Sequence, residues 1–422
     1  MIFKAILRVS APLDRRVAKQ VDAMVKTSAI QKWISIGALS LGCVSAASAE
    51  DLLKIGAAVS LTGPFSREGQ LLRDGYDLWK DTVNAKGGIR VGATSYKVEI
   101  IYYDDESKAP TSARLTEKLL TEDKVAFLFG PYSSGIATAT ASISERYKVL
   151  TLAPMATANS LYSRGYKYIF TPSPLADTGL FPLLTMASEF TPKPTKVAIV
   201  GPDDLFPNVT GDGAAKRAQE LGFKIVYQGK YPKTATDLSA VVTQLKAADP
   251  DIVLATGYAQ DTILLVKSMQ ELRLKPKMVG VAMSIGVDDF RTALGTGAEG
   301  LMGVDYWVPT LTYKDTVFGD SAGFAKAFEA KYKKPPTYHA ASGAAAGVVL
   351  GLALQKAGTF ETGAVRTAML GLRGQTFYGP VQFDDNGVNT LATLNASQIV
   401  GGAPKVIYPE AVRNVAPVFP KP

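Results

Sequence analysis

The fold class predicted by this sequence is α/β, built as two lobes, each around a parallel sheet. Three observations predict it. Short apolar runs alternate with segments whose apolar residues recur at helical spacing. The alternation restarts after the proline-rich stretch Thr171-Pro172-Ser173-Pro174. The length of 422 residues, 47% of them hydrophobic and 20% charged, is that of a globular chain of more than one domain.

In the first series, Lys54–Val59 reads as a strand ended by Leu61-Thr62-Gly63-Pro64. Leu71, Leu72, Tyr76 and Trp79 mark a helix that stops at Asn84-Ala85-Lys86-Gly87-Gly88. A strand over Val98–Tyr103, a helix over Thr111–Leu120 and a fully apolar strand over Val125–Phe129 follow. An unbroken apolar strand is expected where helices cover both faces of a sheet. A helix over Gly135–Tyr147 and a strand over Val149–Leu152 close the series. The second series places strands at Lys196–Val200, Phe223–Tyr227, Ile252–Ala255 and Met278–Val281, with helices at Gly213–Leu221, Leu238–Ala247 and Thr262–Leu272 between them. Ala340–Leu354, with Gly343, Gly347 and Gly351, spans about fifteen residues, short of the ~20 of a membrane helix. It reads as a buried helix packed closely on its lobe.

Residues 1–49 stand apart. Seven basic residues and only two acidic ones precede an apolar run from Trp33 to Val44, and Ala47-Ser48-Ala49 follows. A basic region, an apolar core and an A-x-A site describe a secretory signal peptide cleaved after Ala49. Starting at Met24 makes that signal compact. Cys43, the only cysteine, reads as a small residue of the apolar core. The net charge of +8 falls to +3 once the leader is set aside, so no nucleic-acid partner is expected.

The sequence carries none of the common catalytic motifs. No Gly-x-x-x-x-Gly-Lys-Ser/Thr loop and no Gly-x-Ser-x-Gly elbow occur. Gly295–Gly300 spells G-x-G-x-x-G, but a helix-like segment precedes it and a strand-like one follows. That reverses the order phosphate binding needs, so it reads as a turn. The single histidine, His339, sits at a predicted helix start with no serine in an activating context, and reads as structural or surface. Asp104-Asp105-Glu106 reads as a solvated strand end. No catalytic residue, metal site or cofactor is expected. Two loops after apolar strands suit a carboxylate instead: Gly130–Gly135, where Ser133 or Ser134 caps a helix, and Ala153–Asn159.

These loops also carry a resemblance. From Asp51 to about Tyr408 the chain resembles the periplasmic solute-binding proteins of branched-chain amino-acid ABC transporters, the leucine/isoleucine/valine-binding type. The features recur in order: Leu61–Pro64, Asn84–Ile89, Tyr103–Asp105, Gly130–Ser134, Arg164–Phe170 and Tyr378–Pro380. The resemblance implies a type I periplasmic binding fold, two Rossmann-like lobes joined by a three-strand hinge that close like a Venus flytrap. It implies crossovers near Phe170–Thr171, Gly300–Gly303 and Tyr378–Gly379. The lobes would be 50–170 with 302–378, and 171–301 with 379–422. It implies a periplasmic, non-enzymatic receptor whose partners are a small ligand and permease subunits, with membrane contact only through the permease.

Residue by residue, the resemblance assigns the ligand to Ser134, Met155 through its backbone, and Thr157 in the first lobe. Tyr258 and Phe206 face them from the second. Ser133 stands at one cysteine position of the family's disulfide. Phe65, Tyr132 and Trp307 would complete an aromatic lining. The family's ammonium-pairing glutamate falls near Ala282. An α-amino acid therefore needs Glu68, Asp204, Asp261 or Asp305 in that role; otherwise the ligand is an aromatic or aliphatic acid or an amide.

Overall fold

The computed structural model describes residues 51–422. The leader, its cleavage site, Met24 and Cys43 lie outside the described residues.

The first sheet holds β1 (Leu52–Val59), β2 (Ile89–Val91), β3 (Thr94–Asp104), β4 (Phe127–Phe129), β5 (Thr151–Leu152) and β6 (Ile169–Phe170), in the order β2-β3-β1-β4-β5-β6. β1 pairs in parallel with both β3 and β4, and β4, β5 and β6 continue in parallel. Only β2 runs antiparallel. The helices α1 (Ser66–Ala85), α2 (Ala109–Thr121), α3 (Ser134–Tyr147) and the one-turn α4 (Asn159–Tyr162) follow these strands. Burial on both faces explains why β1 and β4 read as unbroken apolar runs: Ile55, Val59 and Phe127 are wholly buried.

The second sheet begins after α5 (Phe181–Ser188). β7 (Lys196–Pro202), β8 (Lys224–Tyr231), β9 (Ile252–Ala255), β10 (Met278–Val281) and β11 (Met302–Asp305) are parallel, joined by α6 (Leu205–Glu220), α7 (Ser239–Ala248), α8 (Ala259–Glu271) and α9 (Asp288–Leu294). The turn at Gly295–Ala298 lies between a helix and a strand, the reversed order expected of it. α6 starts two turns before the expected Gly213. Asp204 caps it, and Gly213 lies inside it, where a Cβ would stand 2.0 Å from Asp177 O.

Two small hairpins, β12 (Lys314–Asp315) with β13 (Gly319–Asp320) and β14 (Gly374–Thr376) with β15 (Gly379–Val381), flank α10 (Ser321–Tyr332), α11 (Tyr338–Ala357) and α12 (Thr362–Leu370). β16 (Asn395–Val400) and β17 (Ala403–Tyr408) then add an antiparallel edge, giving the order β17-β16-β11-β10-β9-β7-β8. The chain thus leaves the second sheet after Asp305 and rejoins it at Asn395. Between these points Val388 bridges in parallel to Thr171, at the end of β6.

α11 is long and apolar enough to cross a bilayer by length and composition, yet it is largely buried and packs on α1. Small residues bring the two backbones together, as the Ala/Gly pattern predicts. A Cβ on Gly75 would stand 2.0 Å from Ala340 O. Overpacking of this kind costs about 1–3 kcal/mol. Gly75→Ala is therefore expected to lower the unfolding free energy by that amount, read as a lower urea midpoint with an unchanged m-value.

Candidate functional site

Ligands in open parallel sheets bind beyond the strand C-termini where strand order reverses. Here the reversals fall between β1 and β4 and between β7 and β9. The loops leaving these four strands carry Phe65, Tyr132, Asp204 and Tyr258, and they meet. The Phe65 and Tyr258 rings are 5.3 Å apart, Tyr132 lies 5.9 Å from each, and Phe206 stacks on Tyr258 at 5.9 Å. The row continues through His339, 5.5 Å from Tyr132, and Tyr338, 4.0 Å from His339, to Tyr306, 5.7 Å from Tyr338. Such pairs contribute about 0.5–1.5 kcal/mol each beyond area burial.

The first loop is held from below. Asp104 Oδ1 accepts from Leu61 N at 2.9 Å and Thr62 N at 3.1 Å, and Oδ2 accepts from the Thr62 hydroxyl at 2.7 Å. Ser107 Oγ accepts from Phe65 N at 3.1 Å and donates to Thr62 O at 2.7 Å. Two segments that carry the resemblance, Leu61–Pro64 and Tyr103–Asp105, thus pin each other. The acidic run is not simply a solvated strand end: Asp105 is buried and accepts from Ser60 Oγ at 2.7 Å.

Ser133 is the N-cap of α3, its hydroxyl accepting from Ile136 N at 3.5 Å. Ser134 Oγ accepts from Ala158 N at 3.2 Å, tying the two loops expected to hold a carboxylate. Thr157 is buried with its hydroxyl unpartnered, and Met155 is buried beside it in sequence. Asp204 reaches this helix end from the second sheet, with Oδ1 3.6 Å from where a Cβ would stand on Gly135.

Beside the rings lies a cavity of about 450 Å³, lined by Phe65, Glu68, Asp204, Tyr258 and Asp261 among others. Burial pushes the Glu68 carboxyl up, offset by backbone N–H groups and by Arg67, whose guanidinium is 3.5 Å away. Arg67 also bridges to Asp289 on α9 at 2.6 Å, linking the two sheets' helices. Asp261 is pushed up to about 6 by burial, although Tyr231 OH and Tyr258 N both donate to it. Tyr258 OH donates to Asp204 Oδ2 at 3.3 Å.

The structure gathers Phe65, Tyr132, Phe206 and Tyr258 into one cluster, with Ser133 and Ser134 at the adjoining helix end. Trp307 stands apart from them. Its Nε1 donates to Ser321 Oγ at 3.2 Å, and its ring meets Phe324 edge-on at 5.3 Å. Asp305 is likewise absent from the lining of the cleft cavity; it lines a different one with Trp307. Tyr306, Tyr338 and Met283, whose sulfur accepts from Tyr338 OH at 3.6 Å, were not anticipated. The available signal was position: Tyr306 and Met283 follow strand ends, and Tyr338 opens a helix.

A family model described as periplasmic binding protein matches residues 53–403. The Leu/Ile/Val-binding protein homolog 7 of Brucella abortus (strain 2308) is 28% identical over 396 residues, covering 90% of this chain and 96% of the relative. Among solved structures, the branched-chain amino acid transporter substrate-binding protein LivJ of Streptococcus pneumoniae, in complex with isoleucine, superposes with a TM-score of 0.74 at 21% identity, covering 85% of this chain and 100% of that one. An ABC-transporter solute-binding protein of R. palustris in complex with benzoate gives 0.73 at 22% identity, covering 86% and 98%.

His339 is wholly buried and neither ring nitrogen has a partner. Burial, aided by the Arg67 charge, holds its pKa down to about 3 from 6.5. The unfolded chain binds a proton there below about 6.5 and the folded chain does not, so the histidine's share of stability is present above 6.5 and is lost as pH falls toward 3. As this is the chain's single histidine, its imidazole Cε1–H resonance is expected to stay flat from about pH 8 to 4.5 in untagged protein.

Proposed function

The chain belongs to the periplasmic binding protein family, and from that premise we propose that it is the periplasmic substrate-binding component of an ABC importer of the Leu/Ile/Val-binding type, capturing a hydrophobic amino acid between two closing lobes. The lobes would be the two sheets with their helices, and delivery would be to permease subunits after removal of the leader. The observation that carries this reading is the direct meeting of Phe65 and Tyr258 from opposite sheets beside a cavity whose lining includes Glu68, Asp204 and Asp261. The ligand carboxylate would take the α3 end at Ser134 and Thr157. Its ammonium would take the set Glu68, Asp204 and Asp261, and its side chain the rings. A ligand that touches both lobes favours the closed state by its differential affinity. No catalytic group is invoked.

A second reading, an aromatic organic acid, is favoured by one feature: the family's ammonium-pairing position is Ala282, buried and without charge. Thermal shift of refolded, ligand-stripped protein separates the two. At 100 times its dissociation constant a ligand stabilises by about 2.7 kcal/mol, roughly a few degrees in a chain of this size. A rise with leucine, isoleucine or phenylalanine is expected. A rise with benzoate alone transfers the site to organic acids, and a flat response to all of them defeats the capture of either class. Thr157→Ala and Tyr258→Ala are each expected to weaken amino-acid binding more than tenfold, about 1.4 kcal/mol, by calorimetry, with little change in far-UV dichroism.

A further inference from the structure

One ion pair ties the helices of the two sheets together. Arg67 Nε, in the first turn of α1, meets Asp289 Oδ2, in the first turn of α9, at 2.6 Å. α1 follows β1 of the first sheet, and α9 follows β10 of the second. Among the described residues no other ion pair joins α1–α4 to α5–α9. Neither residue lines the cleft cavity, but Arg67 is next in sequence to Glu68, which does. The Arg67 guanidinium is also 3.5 Å from the Glu68 carboxyl. An arginine carries five N–H donors in a fixed fork. This one thus serves a carboxylate inside the cleft and another on the opposite sheet's helix.

The charges around the pair bear on what it can do. Asp288, beside Asp289, is taken by Arg291 further along α9, which leaves Asp289 to meet Arg67. The Arg67 charge is felt at His339 and at Glu68, and the Asp289 charge is felt at Glu68 as well. A cation entering beside Glu68 meets the positive charge of Arg67. Asp289 neutralises that charge from outside the cavity, so the pair removes a cost that an ammonium otherwise meets there. The Arg67 side chain is 25% exposed and that of Asp289 70%, so salt in the solvent screens the interaction.

We propose that Arg67 and Asp289 form an electrostatic clasp between the two closing lobes, one that sets how long the receptor holds its ligand without touching it. The inference rests on the reading of the chain as a closing receptor. The pair exists only while α1 and α9 stand as close as they do here, so it stabilises the closed state and not the open one. A contact made only after closure slows ligand release and leaves capture nearly unchanged. Exposed ion pairs are individually modest, and the expected effect is about two- to fivefold in affinity.

Calorimetry and stopped-flow fluorescence with leucine test this on the mature protein. In about 20 mM NaCl, Asp289→Asn should weaken binding about two- to fivefold through faster dissociation, and Asp289→Glu should keep most of the affinity. In an Arg67→Gln background the same Asp289→Asn change should have no effect, as for two partners of one pair. The gap between Asp289→Asn and the unaltered protein should close in about 500 mM NaCl. Equal affinities at low salt, or a gap that salt leaves untouched, overturn the clasp. If leucine gives no heat with the unaltered protein, the amino-acid reading is what has failed, and the clasp is then read without ligand. No cysteine occurs after Cys43, so Gln70→Cys on α1 and Thr292→Cys on α9, both exposed, take spin labels at those two positions alone. Asp289→Asn should lengthen or broaden the distance between the labels at low salt, and an unchanged distribution removes the clasp.

Discussion

Parallel strand pairing is the constraint from which the rest of this molecule follows. When β1 pairs in the same direction with β3 and β4, every connection leaves at one edge and returns at the other. The second sheet repeats the arrangement around β7. Each residue of the cleft then follows a parallel strand: Phe65 after β1, Tyr132 after β4, Thr157 after β5, Asp204 after β7, Tyr258 after β9 and Met283 after β10. No long-range sequence signal is needed to bring six distant loops together, because the sheets do it. The same edge gathers the N-termini of α3, α6 and α8, whose free N–H groups favour negative charge.

That edge is electrostatically divided. The N-terminus of α3 suits an anion, and Asp204 already leans on it from the opposite sheet. A few ångströms away, Glu68 and Asp261 are buried deeply enough that their carboxyls are pushed up. Acids held in a half-dry space among rings raise the cost of closing over nothing. A zwitterion relieves both conditions at once, offering a carboxylate to the helix end and an ammonium to the acids. A simple aromatic acid relieves only the first. This asymmetry supports the proposed amino acid even though Ala282 stands where the family has its ammonium-pairing glutamate.

Much of this was legible in the sequence. Apolar runs and helical spacing located most strands and helices of both sheets, since burial on two faces leaves an unmistakable pattern. The expectation that Ser134, Thr157, Tyr258 and Phe206 follow strand ends was also legible, because turn chemistry at a strand end is local. What was not legible depends on packing. Trp307 looks like any aromatic after a strand, but the hydroxyl of Ser321 and the ring of Phe324 draw it into the core. His339 looks like a helix-start polar residue, yet the close approach of α1 and α11 leaves it buried with no partner. The antiparallel β16–β17 edge escaped notice because Asn395, Ser397 and Gln398 are polar although buried.

Buried polar atoms without a hydrogen-bond partner occur on several elements, Trp79 Nε1, Thr210 Oγ1 and Thr262 Oγ1 among them, and some stand beside the ring row. Thr157 Oγ1, Tyr306 OH and both nitrogens of His339 border that row. A stable core would have paired or replaced such atoms, since each unpaired one opposes folding. Those beside the ring row have a physical reading. In the proposed receptor, an occupant that pairs these atoms would lower the cost of bringing the two sheets together, and so favour the closed state by its differential affinity.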